Sequence, residues 1–138
     1  MKNVSILVPE QSVMQAIADP QYCFSAVNQF LAVSGRKPLF NVQLVGATKE
    51  VKLNDGKYSV RPDKLLKDIR KTDLVFIPAL FGDMGAAVKA NKALVPWIVN
   101  QYKKGAEVAS LCVGAFLLGA TGLLSGKKCS THWGFTNE

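Results

Sequence analysis

Residues 106–120 read Ala106-Glu-Val-Ala-Ser-Leu-Cys112-Val-Gly-Ala-Phe-Leu-Leu-Gly-Ala120, and Ser130-Thr-His132-Trp133 follows shortly after. A strand over residues 108–111 runs straight into a cysteine, a small-residue turn and a helical run. That order describes a nucleophile elbow, a sharp strand-to-helix turn that lifts one reactive side chain above the edge of a sheet. A helix N-terminus stabilises a thiolate through its free N–H groups and partial positive charge, which makes Cys112 the candidate nucleophile. Val113 and Gly114 offer backbone N–H groups where an oxyanion would form, and Gly114 lets the turn close tightly. His132, the only histidine, is the candidate base or orienting partner. The alternatives are a small buried apolar Cys112 and a structural His132 beside Trp133.

Working outward from the elbow, strands alternate with helices. Residues 4–8 predict a buried first strand. Asp19-Pro20 predicts a helix start, because Asp caps free N–H groups and Pro fits a first turn. Phe24, Val27, Phe30 and Leu31 then recur at helical spacing until Gly35, placing Cys23 on the apolar face. Residues 40–45 alternate as a strand, and residues 51–60 read as a hairpin turning on Asn54-Asp-Gly56. Residues 62–70 predict a short amphipathic helix with Leu65, Leu66 and Ile69 inward. The apolar run 74–77, ending at Pro78, suits a central parallel strand. Residues 86–104 predict a helix with a kink or second start near Pro96. Cys129 and Ser130-Thr-His132 are expected in or at the end of a further strand. The pattern implies an α/β sandwich with a mainly parallel sheet, whose ligand site lies beyond the carboxyl ends of the strands. Cys112 and the loop after Pro78 both fall there, and Glu10 in the loop after the first strand could reach the same edge.

The chain has 138 residues, 49% of them apolar and 20% charged, the composition of one domain with a real core. No apolar run is long enough to span a bilayer, and the first one is too short for a signal-peptide core, so a cytoplasmic location and no membrane partner are expected. Three cysteines without a C-x-x-C pair, and one histidine, give no expectation of a disulfide framework, metal site or cofactor. The net charge of +7 could mean an anionic partner. Eight of the basic residues are interleaved with four acidic ones between Lys49 and Lys71, without an aromatic stacking pattern or recognition helix, which reads as a solvated face.

The stretch Ser110-Leu-Cys-Val-Gly-Ala-Phe-Leu-Leu, with Gly122-Leu-Leu-Ser-Gly-Lys-Lys-Cys-Ser-Thr-His-Trp133, resembles the PfpI-like branch of the class I glutamine amidotransferase-like superfamily. Within it the chain is most similar to the N-terminal domain of AraC-type transcriptional regulators. The resemblance implies a flavodoxin-like three-layer sandwich, a homodimer, and two helix-turn-helix motifs binding DNA in a C-terminal domain not present here. Residues 1–138 are then expected to be a sensing domain incomplete at its C-terminal end. Enzymes of the family pair the elbow cysteine and a downstream histidine with an acid from the first strand–helix loop. Carried over, these are Cys112, His132 and a site occupied here by Ala16, with Gln15 beside it. The Pro-Gly-Gly usual after the central strand is Pro78-Ala79-Leu80, and Val113 replaces a threonine common in the regulators. These departures make the pocket less polar. They point to a domain that binds an unknown small-molecule effector through Ala79, Leu80, Cys112, Val113, Gly114 and His132, without catalysis. The alternatives are a PfpI-like cysteine enzyme (isonitrile hydratase, protease-like hydrolase or glyoxal-consuming hydratase) and an oxidant sensor reading out through Cys112 sulfenic acid.

Overall fold

A computed structural model describes residues 1–135 and 137. The chain begins with strand β1 (Lys2–Leu7), helix α1 (Met14–Val33) and strand β2 (Phe40–Gly46). Strands β3 (Val51–Leu53), β4 (Tyr58–Val60) and β5 (Lys64–Leu65) follow, and then β6 (Leu74–Ile77). Helices α2 (Met84–Ala90) and α3 (Leu94–Lys103) lead to β7 (Glu107–Ser110) and α4 (Ala115–Gly119).

Alternation along the strands sorts their apolar side chains onto two faces. Val4, Ile6 and Val8 are buried with Ile17 of α1 and with Val51, Leu53 and Val60 of the β3–β4 hairpin. Leu7, Val45, Val75 and Ile77 are buried on the opposite face against Leu94 and Ile98 of α3 and Leu117 of α4. Full burial of such a side chain contributes about 1.5–3 kcal/mol, so the two-sided apolar pattern is what makes a helix-covered sheet the stable arrangement. The sheet has the order β5-β2-β1-β6-β7, and each of its pairings is parallel. The chain thus winds outward from β1 in one direction through β2 and in the other through β6. This is the three-layer, flavodoxin-like sandwich expected from sequence, with its reversal of strand order between β1 and β6. At the amino ends of these strands, the Asn3 backbone N–H and the nearby Lys2 and Lys71 hold the Asp73 carboxyl below its ordinary pKa.

Several local expectations are corrected. Helix α1 starts at Met14, and Pro20 lies inside it, so Asp19 caps nothing. The start is set by the Val13 N–H, which donates to the Ala79 carbonyl at 2.9 Å and so turns the chain before the helix begins. Residues 62–70 form no α-helix. They supply β5, parallel to β2, and a 3-10 turn at Leu66–Asp68. The Asp63 carboxylate accepts the Leu44 N–H at 2.7 Å, which draws this segment along the edge of β2. Gly46 permits the approach, because a Cβ there would stand 2.5 Å from Pro62 Cγ. Residues 84–103 divide into two helices, and Pro96 falls in the first turn of α3, where its missing N–H costs nothing. Cys23 and Cys129 are both exposed, Cys23 lying outside the α1 core face and Cys129 outside any strand. Ser130-Thr-His132 likewise forms no strand.

Candidate functional site

The elbow forms as its sequence requires. Leu111 closes β7 by donating its N–H to the Ile77 carbonyl at 2.9 Å, and Cys112 then turns into the left-handed region with φ +53°. A side chain in that region costs about 1–2 kcal/mol and persists only where the surroundings enforce it. Gly114 is the enforcing residue. A Cβ at this position would lie 2.5 Å from the Pro78 carbonyl oxygen and 2.9 Å from that of Ile77, so only glycine lets the turn settle on the end of β6. The Cys112 side chain is exposed, whereas Val113 and Gly114 are buried.

The neighbours of Cys112 are engaged largely by the backbone around the turn. The Gly114 N–H donates to the Leu111 carbonyl at 2.9 Å, so this oxyanion donor is engaged within the turn. Thr131 Oγ1 donates to the Cys112 carbonyl at 3.3 Å and tethers the C-terminal segment beside the elbow. His132 follows Thr131, with its ring against Trp133 at 5.2 Å and Phe135 at 5.9 Å. Its Nδ1 accepts the Gly134 N–H at 3.1 Å. Among the described residues, no hydrogen bond joins the Cys112 thiol to His132.

The loops after β1 and β6 are stitched together in front of the sheet. Phe81 N–H donates to the Gln11 carbonyl at 2.7 Å, and Ser12 and Leu80 form an antiparallel bridge. Ala79 and Leu80 are consequently buried in the core beside Val113 and Leu117. Ala16 is buried as well, while Gln15, its neighbour in the first turn of α1, faces outward. Of the residues expected to meet a ligand, Ala79, Leu80, Val113 and Gly114 are buried. Cys112 and His132 remain accessible in whole or in part.

The open space lies elsewhere. A cleft of about 590 Å³ separates the β1–α1 loop from the turn of the β3–β4 hairpin, with Phe81 and Gly82 at its mouth. Glu10 and Gln15 line it on one side and Lys52, Leu53, Asp55 and Tyr58 on the other, whereas Cys112 and His132 do not. Asn91, itself buried, accepts the Glu10 N–H at 2.8 Å and donates to the Glu10 carbonyl at 2.9 Å. Of these residues only Glu10 and Gln15 could be singled out from sequence. The Asn54-Asp-Gly56 turn carries the further signal, since its three positive φ angles make the tight hairpin tip that also lines the cleft. Among the described residues, no group of three or more His, Cys, Asp or Glu side chains could hold a metal ion.

A parallel doubly wound sheet whose cysteine stands at a positive-φ elbow defines the cysteine-elbow class of α/β sandwich proteins. The chain belongs to the DJ-1/PfpI family, matching it over residues 30–138. Among curated proteins it is 27% identical over 128 residues to the HTH-type transcriptional regulator CdhR of Pseudomonas aeruginosa, covering 93% of this chain and 35% of that protein. It is 32% identical over 76 residues to the isonitrile hydratase of Pseudomonas putida, covering 55% of this chain and 32% of that enzyme. The chain thus spans about a third of the length of each of these relatives. Among solved structures, a candidate transcriptional regulator of Vibrio parahaemolyticus superposes with a TM-score of 0.81 at 21% identity, covering 98% of this chain and 69% of that one. An AraC family transcriptional regulator from Pseudomonas putida superposes with a TM-score of 0.68 at 16% identity, covering 97% of this chain and 68% of that one. At these identities the structural likeness shows the shared fold. Among the described residues, no helix is long and apolar enough to cross a membrane.

Proposed function

We propose that residues 1–138 form the ligand-sensing and dimerisation domain of a cytoplasmic AraC-type transcriptional regulator that binds DNA through a C-terminal domain, and that the domain has no catalytic activity. One observation carries the reading: the elbow is intact, while the acid is absent and both the histidine Nδ1 and one of the two backbone donors are engaged. Ala16 and Gln15 stand where an acid is needed, His132 Nδ1 accepts a backbone N–H, and Gly114 gives its own N–H to Leu111. The similarity to CdhR along 93% of the chain supports a regulatory rather than enzymatic context. Tyr22, Val27, Phe30 and Val33, which α1 leaves exposed, support a pairing surface for a second copy. The test is the coding sequence beyond codon 138. A double helix-turn-helix is expected within about 240 residues, the length of CdhR outside its matched 35%, and its absence contradicts the regulator.

The exposed thiol at φ +53° favours one other reading, a PfpI-like cysteine enzyme. Turnover of an isonitrile by the chain, abolished by Cys112→Ala, would establish that reading. No turnover is expected.

A further inference from the structure

We infer that a second groove, between the α3 side of strands β1 and β2 and the segment running from β5 to β6, is a site for a phosphoryl dianion, either inorganic phosphate or a small phosphate monoester. Its volume is about 330 Å³, and it shares no lining residue with the cleft described above. The floor is polar where the rest of that sheet face is apolar. Leu7 and Val45 are buried in the core, but two residues earlier on each strand stand Ser5 and Gln43, paired in register, with Asn3 beyond them. Lys64 pairs with Val45 and so lies on the same face. Gln43 is half-buried, and among the described residues its side-chain amide has no hydrogen-bond partner.

The ionised side chains lining the groove are Lys64, Arg70, Lys71 and Asp68, three cations against one anion. With no helix over residues 62–70, Lys64 and Arg70 come to line one groove. The nearby carboxylates are occupied by backbone: Asp68 accepts the Leu65 N–H at 3.1 Å, Asp63 that of Leu44 at 2.7 Å and Asp73 that of Asn3 at 2.8 Å. Lys71 helps to hold the Asp73 carboxyl down, but among the described residues Lys64, Arg70 and Lys71 form no ion pair. Helix α3 fixes the wall that carries the cations. The buried Gln101 accepts the Thr72 N–H at 3.1 Å and donates to the Ile69 carbonyl at 3.3 Å. Trp97 Nε1 donates to the Leu66 carbonyl and Lys104 Nζ to the Arg70 carbonyl, each at 2.9 Å. Arg70, Lys71 and Lys104 are thereby gathered against their mutual repulsion, which a bound anion relieves. A guanidinium forks onto two phosphoryl oxygens, and ammonium groups and side-chain amides donate to the others. A phosphate monoester carries about −1.5 to −2 charge at pH 7, which matches the excess of cations better than a single carboxylate does. No aromatic ring lines the groove for a nucleobase to stack on. The inference goes beyond the regulator reading and does not rest on it.

The experiment is a ¹H–¹⁵N NMR titration of the 138-residue chain in phosphate-free buffer at pH 7 and about 0.15 M salt, where distant surface attraction is screened. The probes are inorganic phosphate, glucose 6-phosphate and glucose. Saturable shifts are expected at the amides of Asn3, Gln43, Arg70 and Thr72 with both phosphates and not with glucose. Tighter binding of glucose 6-phosphate identifies an ester as the ligand, and equal or tighter binding of inorganic phosphate identifies the free ion. Combining Lys64→Gln with Arg70→Gln should weaken both phosphates about tenfold. Combining Lys89→Gln with Lys92→Gln removes the same charge at the end of α2 and should change affinity less than about twofold. All four positions are exposed, and unchanged amide dispersion away from the groove verifies folding. Absence of saturable shifts, shifts centred outside the groove, equal binding of glucose, or equal losses in the two double variants overturns the proposal. Shifts at these amides with duplex DNA of mixed sequence but with neither phosphate also overturn it, and mark the surface as one for nucleic acid. None of these outcomes bears on the coding-sequence test of the regulator.

Discussion

Two regions at the carboxyl ends of the strands differ in how they are built. The elbow is held by close packing: Gly114 lies against the end of β6, and Val113 and Leu117 are buried beneath it. The cleft is held by hydrogen bonds from Asn91, Ser12 and the paired loops, and it leaves polar side chains facing solvent. The elbow keeps one strained residue in place and has the Gly114 N–H, one of its two backbone donors, engaged inside the turn. The cleft has charge, aromatic surface and room. A positive-φ cysteine therefore identifies this frame without identifying its chemistry.

Substitutions that act on one region and spare the other test this division. Gly114→Ala should have the largest effect, about 3 kcal/mol of lost stability, because the added Cβ meets backbone oxygens that cannot rotate away. Urea unfolding measures this, and a loss below about 1 kcal/mol would mean that the elbow is not pinned by close approach. Asn91→Ala should cost about 2 kcal/mol by leaving the Glu10 N–H and carbonyl without partners. Hydrogen exchange should then accelerate in the β1–α1 loop and not at the elbow; uniform acceleration would merge the two regions. Cys112→Gly should change stability least, raising it by about 1 kcal/mol or less, since glycine adopts φ +53° without steric strain. A thermal melt checks the sign, and destabilisation would mean that the cysteine side chain contributes more packing than its conformation costs.

Much of the frame was legible because it is local. Leu74-Val-Phe-Ile77, a short run buried on both faces, has few alternatives to a central strand. The Ser-Leu-Cys-Val-Gly sequence combines an apolar strand end with the small residue its turn demands. The misread segments depend on distant partners. Leu65, Leu66 and Ile69 have helical spacing, but Gly46 opens the edge of β2 to Pro62 and the segment becomes β5. Asp19-Pro20 has the composition of a helix start, yet the Val13–Ala79 hydrogen bond starts α1 earlier. Cys23 adjoins Phe24 in sequence, but one step around the helix carries it to solvent. The cleft was not legible because its walls come from residues 10–15, 52–56, 58 and 81–82, and no single motif joins them.

The reactivity of Cys112 bears most directly on whether the elbow is a retained frame or a working nucleophile. Cys23 and Cys129 are also exposed and free, so the same molecule carries two reference thiols. The measurement is the rate of iodoacetamide alkylation at each cysteine at pH 7, followed by peptide mass spectrometry. An ordinary thiol is only a few per cent ionised at that pH, and a fully ionised one reacts about tenfold faster after allowing for its lower intrinsic nucleophilicity. For a frame residue, Cys112 should alkylate within roughly threefold of the two references. A rate about tenfold or more above both would show an activated thiol and contradict the non-catalytic reading of this domain.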